Sequence, residues 1–144
     1  QPLDGILALS SPALLPIGRD DAYGFIVDSD HAVQARRWTA SKWSSWINLN
    51  EYACSAPDVV YRNGKAVVAW QDAKSSLQAR AYTGIQGSTL KLDSKAAVSG
   101  EIHSQPGLLV DASGELEAFA VNRLSNLIRS VNFSDWKILQ TSLP

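Results

Sequence analysis

Aromatic and charged side chains recur along this sequence in a combination that suits sugar binding. A pyranose presents one face of C–H groups and a rim of hydroxyls, so its site needs an aromatic platform and a few fixed polar groups in a concave place. The predicted ligand-binding residues are Trp38, Trp43, Tyr82 and Trp136 among the aromatics, and Arg36, Arg80, Arg129, Asp28, Asp72 and Asn122 among the polar groups. Whether these residues meet depends on the elements that carry them.

Three segments of the chain share one order of features. Each begins with a Ser/Pro signal, at Ser11-Pro12, Ser55-Ala56-Pro57 and Ser104-Gln105-Pro106. The prolines are separated by 45 positions (12 to 57) and 49 positions (57 to 106), and repeats of about 40–50 residues are typical of propeller blades. We place the repeats at approximately 11–54, 55–103 and 104–144, within a single domain spanning 1–144.

Each repeat contains four short strands separated by turns rich in Gly, Asp and Asn. Across the three repeats, the first strands are ALLPI, DVVYR and GLLVD, and the second strands are AYGFIVD, AVVAWQD and LEAFAVN. The third strands are AVQARRW, SLQARAY and LIRSVNF, and the fourth strands are SSWINL, STLKL and WKILQ. An aromatic residue lies 13 positions after each proline, and an arginine recurs in each third strand: Phe25, Trp70 and Phe119, then Arg36, Arg80 and Arg129. The alternation and the absence of a helical period predict an all-β protein built of four-stranded antiparallel propeller blades.

The number of blades predicts an assembly. Propellers usually close with about four to eight blades, and this chain supplies about three. Residues 1–10, with the run GILAL, resemble one further outer strand at the tail of a preceding blade. We expect the two open sheet faces to associate, and we prefer a homodimer with C2 symmetry that closes a six-bladed ring. Completion by another chain or by further sequence is the alternative.

The composition of the chain argues against several classes of partner. The formal net charge is −1 and the charged residues are scattered, so no nucleic-acid footprint is present. Apolar runs such as AVVAW are far shorter than the about 20 residues that cross a bilayer, so no membrane insertion is expected. His31 and His103 lie in different repeats and Cys54 is the sole cysteine, so we expect no metal and no cofactor.

Two expectations concern the environment of the chain. A free cysteine is usually a buried small hydrophobe, which we expect of Cys54, and the alternative is a link between two chains. The sequence starts at Gln1 rather than at methionine, which favours a processed, secreted protein.

Three runs in the first two repeats resemble one blade of the bacterial PLL-type propeller lectins. They are WSSWINL at 43–49, SAPDVV at 55–60 and GKAVVAW at 64–70. The last repeat has the similar run SQPGLLVDASGELEAFAVN followed by WKIL. The six-bladed fungal fucose lectins share the architecture more distantly, and their Arg-Val-Tyr-Tyr strand motif is absent from this sequence.

The resemblance implies a multivalent lectin with shallow pockets between neighbouring blades that take fucose or methylated sugars. This sequence departs from the family pattern in two places. The aromatic-His segment is reduced to Asp30-His31-Ala32-Val33 in the first repeat and is missing from the others, and the run GSTLKL of the middle repeat lacks the tryptophan pair. We therefore expect unequal pockets, some of them inactive.

Packing is the alternative role for the same side chains. Mid-strand aromatics usually pack between sheets, which we expect of Phe25, Trp70 and Phe119. Trp46 at a strand start also suits packing, as does its counterpart in the last repeat, whereas Trp43 in the preceding turn suits exposure. The recurring arginines are alternatively solvated residues whose stems cover apolar surface.

Two other functions are weighed against sugar binding. A propeller can be a protein-interaction scaffold, because the fold hosts many functions. A propeller glycoside hydrolase would need two carboxylates about 5–10 Å apart. The available ones are Asp20, Asp21, Asp28, Asp30 and Glu51, and acidic residues in such turns are ordinarily turn formers. We therefore predict a non-enzymatic carbohydrate-binding protein whose partners are glycans.

Overall fold

The computed structural model describes residues 6–86 and 89–141, in which all regular elements are β-strands. The first sheet contains β1 (Ala13–Gly18), β2 (Asp21–Val27), β3 (Ala32–Thr39), β4 (Lys42–Trp43) and β5 (Ile47–Tyr52). The second contains β6 (Asp58–Arg62), β7 (Lys65–Gln71), β8 (Leu77–Gln86) and β9 (Thr89–Val98). The third contains β10 (Gly107–Val110), β11 (Leu116–Val121), β12 (Leu127–Val131) and β13 (Lys137–Gln140).

Each sheet is one blade of a β-propeller, which confirms the predicted fold class. The strands follow one another in sequence order and pair antiparallel, and in blade 1 the fourth strand is split into β4 and β5, which both pair with β3. The first strands of neighbouring blades contact each other, β1 with β6 and β6 with β10, so these strands lie innermost. The fourth strands lie outermost, where β5 contacts β9.

The segment before each first strand is held to the second strand by a repeated pair of hydrogen bonds. The serine two residues before each proline accepts a backbone N–H bond: Ser10 from Val27 (3.1 Å), Ser55 from Gln71 (2.9 Å) and Ser104 from Val121 (2.9 Å). The residue before each serine donates its N–H to the carbonyl of the same partner: Leu9 (2.8 Å), Cys54 (2.7 Å) and His103 (2.7 Å). The repeated motif is therefore Ser-x-Pro, and in blade 1 it starts at Ser10 rather than at Ser11.

Residues 6–10 therefore lie against blade 1 in the same way as the end of β5 and the connection after it lie against blade 2. Ala8 forms an isolated antiparallel bridge with Asp28, and Ser29 N–H donates to Leu7 O (2.9 Å). The assignment of residues 1–10 to the tail of a preceding blade stays a prediction. Residues 1–5 of that predicted strand lie outside the described residues.

The turn between the second and third strands is the same in all three blades. Oδ1 of Asp28 accepts the backbone N–H groups of Asp30 (2.9 Å) and Ala32 (3.0 Å). Asp72 and Asn122 accept the equivalent bonds in blades 2 and 3. Short polar side chains favour such turns because they replace a backbone acceptor. The three residues are thus equivalent positions from which each blade can be aligned.

Side chains alternate between the two faces of each blade, and we call the face toward the next blade in the chain its front. Phe25 and Val27 on the front of blade 1 pack against Val68 and Trp70 on the back of blade 2, and all four are at most 1% exposed. The contact between blades 2 and 3 uses smaller side chains: Ala69, Leu77, Ala79, Ala118, Ala120 and Ile128. The front of blade 3 and the back of blade 1 face no other blade of the described chain.

The predicted alignment of the mid-strand aromatics is wrong for Trp70. Phe25 and Phe119 are the third residues before their turn residues, whereas Trp70 is the second before Asp72. The segment from proline to turn is one residue shorter in blade 2, so Trp70 points to the opposite face. Phe25 and Trp70 are buried as expected, but Phe119 is only half-buried because it lies on the open front of blade 3.

The fourth strand of blade 2 also differs from the prediction. Ala79 pairs with Ala96, where blade 1 pairs Ala35 with Ile47. The counterpart of Trp46 in blade 2 is therefore Lys95, and the run GSTLKL, whose first two residues lie outside the described part of the chain, belongs to an extension of the β8–β9 hairpin. Cys54 is exposed rather than buried, because its neighbour Ala53 takes the inward position.

Candidate functional site

A cleft of about 230 Å³ opens between blades 1 and 2 beside the β1–β2 and β6–β7 turns. We call it the tyrosine cleft, because three of its lining residues are tyrosines. Its functional lining consists of Asp21, Tyr23, Arg37, Tyr61, Tyr82 and Thr83. Tyr61 is 45% exposed, whereas Tyr23 and Tyr82 are 4% exposed and form the floor.

The tyrosine cleft holds a bidentate ion pair. Arg37 donates from Nε to Asp21 Oδ1 (2.8 Å) and from Nη2 to Oδ2 (2.6 Å), and its guanidinium lies 5.3 Å from the ring centroid of Tyr23. The hydrogen bond from Arg37 lowers the pKa of Asp21 below its ordinary value of 3.8, and the same bond raises the pKa of Arg37. Both side chains are 29% exposed, so this rigid charged pair reaches the solvent in the cleft.

Local sequence explains how the cleft is positioned. Asp21 and Tyr23 are two residues apart on β2 and therefore share its front face, and Tyr23 pairs with Arg37 on β3. Tyr61 lies on β6 just before the turn at Asn63 and Gly64, whose φ values of 53° and 75° are left-handed. This tight turn presents Tyr61 at the rim. Burial, and then the charge of Glu51, raise the pKa of Tyr82, so its hydroxyl stays protonated.

A second cleft, of about 210 Å³, lies between blades 2 and 3, and we call it the basic cleft. Its functional lining consists of Arg62, Asn63, Lys65, Val67, Ser94, Leu116 and Phe133. Arg62 donates from Nε to Gly114 O (3.0 Å) and so joins the β6–β7 turn to the β10–β11 turn. Lys65 Nζ lies 2.8 Å from Asp93 Oδ2 on β9.

The two clefts occupy equivalent places. Positions in blade 1 are counted from the turn residue Asp28, and positions in blade 2 from Asp72. Three residues on the front of blade 1, in the tyrosine cleft, then correspond to three on the front of blade 2, in the basic cleft: Asp21 to Lys65, Tyr23 to Val67 and Arg37 to Ala81. On the back faces, Ala66 corresponds to Leu116 and Thr83 to Phe133. The repeat thus places one of these two clefts at each blade contact, beside the turns between the first and second strands, and substitution gives the two clefts different chemistry. A further cleft between blades 2 and 3 lies beside the β7–β8 turn and is lined by Asp72, Gln78, Phe133 and Asp135 among others. The expectation of unequal sugar pockets stays a prediction.

Three of the predicted site residues meet on the open back face of blade 1. The guanidinium carbon of Arg36 lies 4.6 Å from the ring centroid of Trp43 and 4.4 Å from that of Trp46, so the cation is held between two indoles. Trp38 makes an edge contact with Trp43 (5.4 Å between centroids), and its Nε1 donates to Asp20 (2.8 Å). We call this patch the tryptophan face. Trp43 covers Gly24 and is half-buried rather than fully exposed.

Arg80 serves the contact between blades 1 and 2. Its Nε and Nη2 donate to the two oxygens of Glu51 (2.5 and 3.2 Å), and Nη1 donates to Ala79 O (2.8 Å). The side chains of Arg80 and Glu51 are only 10% and 17% exposed. The guanidinium also lies 5.4 Å from the Trp70 ring centroid. Arg80 borders the basic cleft as well, but its charge is paired with Glu51.

Arg129 does not match Arg36 and Arg80, contrary to the predicted alignment. It is the seventh residue after its turn residue, whereas Arg36 and Arg80 are the eighth, so it points to the opposite face of its blade. Its Nε lies 2.5 Å from Glu117 Oε1 on the open front of blade 3. Ser130 occupies the equivalent position in blade 3 and its hydroxyl donates to Ser134 O.

The remaining predicted residues have structural partners. Oδ2 of Asp28 and of Asp72 accepts from the side chains of Gln34 (2.9 Å) and Gln78 (2.8 Å), in addition to the turn bonds. Burial raises the pKa of Asp72, but hydrogen bonds from Ser76, Gln78 and Lys74 outweigh it and lower the pKa. Asn122 is committed to its own turn. Trp136 packs in the blade 2–blade 3 core, where it lies against Gly100.

Three predicted site residues therefore line clefts between blades: Tyr82 the tyrosine cleft, Arg80 the basic cleft, and Asp72 a third cleft between blades 2 and 3. Arg37 and Tyr61 were not among the predicted site residues, and Asp21 was considered only as a possible catalytic carboxylate. Arg37 directly follows Arg36, and the strand period assigns them to opposite faces, so a choice of the inter-blade face would have found it. Tyr61 has no counterpart in the other repeats, and no repeat-based signal pointed to it.

The comparisons with known proteins concern the fold. No protein-family model matches the sequence, and no curated protein sequence matches it. A mutant of Aleuria aurantia lectin in complex with Fucα1-6GlcNAc superposes with a TM-score of 0.64 at 11% identity, over 94% of this chain and 47% of that one. A fucose lectin from Kordia zhangzhouensis in complex with methyl-fucoside gives 0.58 at 14% identity, over 92% and 100%. The GH43_1 enzyme from Xanthomonas citri complexed with xylose gives 0.51 at 11% identity, over 98% and 56%.

These likenesses define the class of fold. The chain is a three-bladed β-propeller segment whose blades superpose on propeller lectins and on a propeller enzyme. It spans about half the length of the Aleuria aurantia lectin chain and the whole of the Kordia zhangzhouensis chain. At such low identities the residues of the clefts decide the function.

Two further observations on residues 6–86 and 89–141 concern metal ions and membranes. No three or more His, Cys, Asp and Glu side chains come together there as metal ligands. The same part of the chain has no helix of a length and hydropathy suited to crossing a membrane.

Proposed function

We propose that this chain is a lectin, a carbohydrate-binding protein without catalytic activity, and that the tyrosine cleft is its site for a neutral sugar. The observation that carries the proposal is the exposed ring of Tyr61 beside the bidentate Arg37–Asp21 pair. An aromatic ring takes the C–H face of a pyranose, and the pair offers a fixed donor and a fixed acceptor to its hydroxyls. Because the pair is formed before a ligand binds, little side-chain entropy is lost on binding.

Fucose is the sugar we propose for this cleft. The support is the superposition on two fucose lectins, one of which is matched along its whole length by this chain. The floor of the cleft adds a second argument, since Ala66 and Gly84 leave room for a methyl-bearing ring next to Tyr82. Binding at one such shallow pocket is weak, so avidity for a glycan surface would come from several pockets acting together.

Hydrolysis is disfavoured by the partners of the acidic residues. A glycosidase needs one carboxyl group whose pKa is raised so that it can act as the acid. The pKa of Asp21 is instead lowered by Arg37. Asp20 accepts from Trp38, Asp28 is held in its turn and Glu51 is bound to Arg80. These four carboxylates are thus engaged in binding other parts of the protein.

We also propose that two copies of the chain close a six-bladed ring. The open back of blade 1 exposes Leu14 (62%) with the tryptophan face, and the open front of blade 3 carries Phe119 and the Arg129–Glu117 pair. Within the chain, the front of one blade is buried against the back of the next, so these two open faces are a front and a back that lack a neighbour. Continuing that stacking across a two-fold axis would cover both open faces in each copy.

Ring closure is tested by mass in solution. A dimer is expected at twice the chain mass of 15.6 kDa. Leu14→Arg places a charge in the proposed contact and should give a monomer. Leu124→Arg is the matched control, because Leu124 is 69% exposed in the β11–β12 turn and away from both open faces. A monomer for the unmutated chain at micromolar concentration rejects the homodimer.

Sugar binding is tested on a glycan array. The unmutated protein should bind fucosylated glycans, and Tyr61→Ala should abolish the signal while leaving the unfolding temperature nearly unchanged, because this ring is exposed. Trp43→Ala is the comparison variant, since Trp43 was also predicted to bind sugar and lies outside the cleft, on the proposed ring contact. It should weaken the array signal only through lost avidity and leave the affinity for methyl-fucoside in solution unchanged. An array without any positive glycan would favour the scaffold function instead.

A further inference from the structure

The basic cleft has the position of a sugar site and a different charge from the tyrosine cleft. In the tyrosine cleft the one arginine is neutralised by Asp21. The basic cleft is lined by Arg62 and Lys65 and by no Asp or Glu. Asp93, which is outside the lining, forms an ion pair with Lys65. Arg80 also borders this cleft, but its charge is compensated by Glu51 on the other side of the blade.

Arg62 supplies the uncompensated charge. Its Nε is anchored on Gly114 O at 3.0 Å, and no described carboxylate lies within salt-bridge distance of its guanidinium. The two terminal nitrogens make no hydrogen bond to any residue that the structure describes. A guanidinium anchored in this way presents a planar pair of N–H donors, which fits the two oxygens of a carboxylate or a sulfate ester.

The rest of the lining suits a sugar ring. Phe133, Val67 and Leu116 provide an apolar wall, with Leu116 1% exposed and Phe133 half-buried. Asn63 and Ser94 provide neutral hydrogen-bonding groups at the exposed rim. An anion without a carbon skeleton would use the two cations but not this wall.

We propose that the basic cleft binds a pyranose that carries one anionic substituent, a carboxylate or a sulfate ester, through Arg62 and Lys65, with Phe133 against the ring. The proposal rests on the proposed lectin function and assigns this second cleft a ligand class different from that of the tyrosine cleft. A single chain then recognises a neutral and an acidic sugar at two neighbouring, equivalent places.

The test uses titration calorimetry with two pairs of probes. Methyl β-glucuronide is compared with methyl β-glucoside, and the 6-sulfate of methyl β-galactoside with methyl β-galactoside. The acidic member of at least one pair should bind about tenfold more tightly than its neutral partner, because charge-assisted bonds to arginine are the strong ones. The pair that shows the difference identifies the substituent. Raising the salt concentration should reduce the difference, since both cations are solvent-accessible.

Variants locate the site. Arg62→Gln retains a donor for Gly114 and should remove about tenfold of the affinity for the acidic sugar without changing the binding of methyl-fucoside. Lys91→Gln is the matched control, because Lys91 is an exposed cation on β9 outside the lining. Equal binding of acidic and neutral probes, or an equal loss with Lys91→Gln, overturns the inference. If methyl-fucoside still binds in that case, only this inference fails; if no sugar binds, the lectin function fails as well.

Discussion

The two inter-blade contacts of this chain share a backbone arrangement and differ in nearly every side chain. Between blades 1 and 2 the contact is made of Phe25, Trp70 and the Arg80–Glu51 pair, and above it lies the tyrosine cleft. Between blades 2 and 3 four alanines lie in the buried contact together with Leu77, Val98, Ile102 and Ile128, and above it lies the basic cleft. The repeat therefore sets where a cleft forms, whereas individual substitutions set what each cleft can bind.

Removing the largest side chain of the first contact should have the largest effect. Trp70→Ala leaves a cavity between blades 1 and 2 and should lower the free energy of unfolding by about 3–5 kcal/mol. Denaturant unfolding measures the loss. Phe119→Ala is the control, because Phe119 is half-buried on the open front of blade 3 and should cost much less in the monomer. Equal losses would mean that the open front of blade 3 is as well packed as the contact between blades 1 and 2.

Breaking the ion pair in the same contact should have the next largest effect. Glu51→Ala leaves Arg80 nearly buried without its partner and should lower the free energy of unfolding by about 2–3 kcal/mol, less than for a fully buried pair. The double variant Glu51→Leu with Arg80→Met should recover most of the loss. A double variant as unstable as the single one would show that the packing rather than the charge matters.

In the contact between blades 2 and 3, enlarging a small buried side chain should lower the stability of the protein. Ala118 is fully buried between blades 2 and 3. Ala118→Leu should overpack this contact and lower the free energy of unfolding by about 1–3 kcal/mol. Circular dichroism during urea unfolding measures it. A neutral result would mean that the blades can move apart without loss, which would contradict tight packing of the alanines.

The smallest expected effect is a pH dependence at the tyrosine cleft. The pKa of Asp21 is lowered in the folded state by Arg37, so its stabilising contribution is fully present above the ordinary carboxyl pKa and is lost as the pH falls through the lowered value. The difference in unfolding free energy between the unmutated protein and Asp21→Asn should stay below about 1 kcal/mol, because the pair is partly exposed. It should be constant above about pH 5 and shrink below about pH 4. A difference that instead grows on acidification contradicts the ion pair.

The sequence was sufficient for the blades but not for the faces. Turn residues, strand alternation and the spacing of the prolines predicted the strand order, because these signals are local. The one-residue difference in blade 2 was hidden by the equal spacing of Phe25, Trp70 and Phe119 from their prolines. A shift of one residue in a strand exchanges its two faces, and for this reason the alignment of Arg129 with Arg36 and Arg80 was wrong.

The site depends on contacts between blades, which no single repeat encodes. Asp21 and Arg37 are 16 residues apart in blade 1, and Tyr61 reaches them from blade 2. The tryptophan pair was prominent in the sequence, yet Trp43 and Trp46 lie on an open sheet face around Arg36. That face belongs to the proposed ring contact, so the residues most visible in the sequence serve assembly in this account.

The central claim is tested most directly by a crystal structure of the chain grown with methyl-fucoside. We expect the sugar in the tyrosine cleft, with its ring against Tyr61 and its hydroxyls bonded to Arg37 and Asp21. A sugar bound instead on the tryptophan face, or a tyrosine cleft that stays empty at saturating sugar, would contradict it.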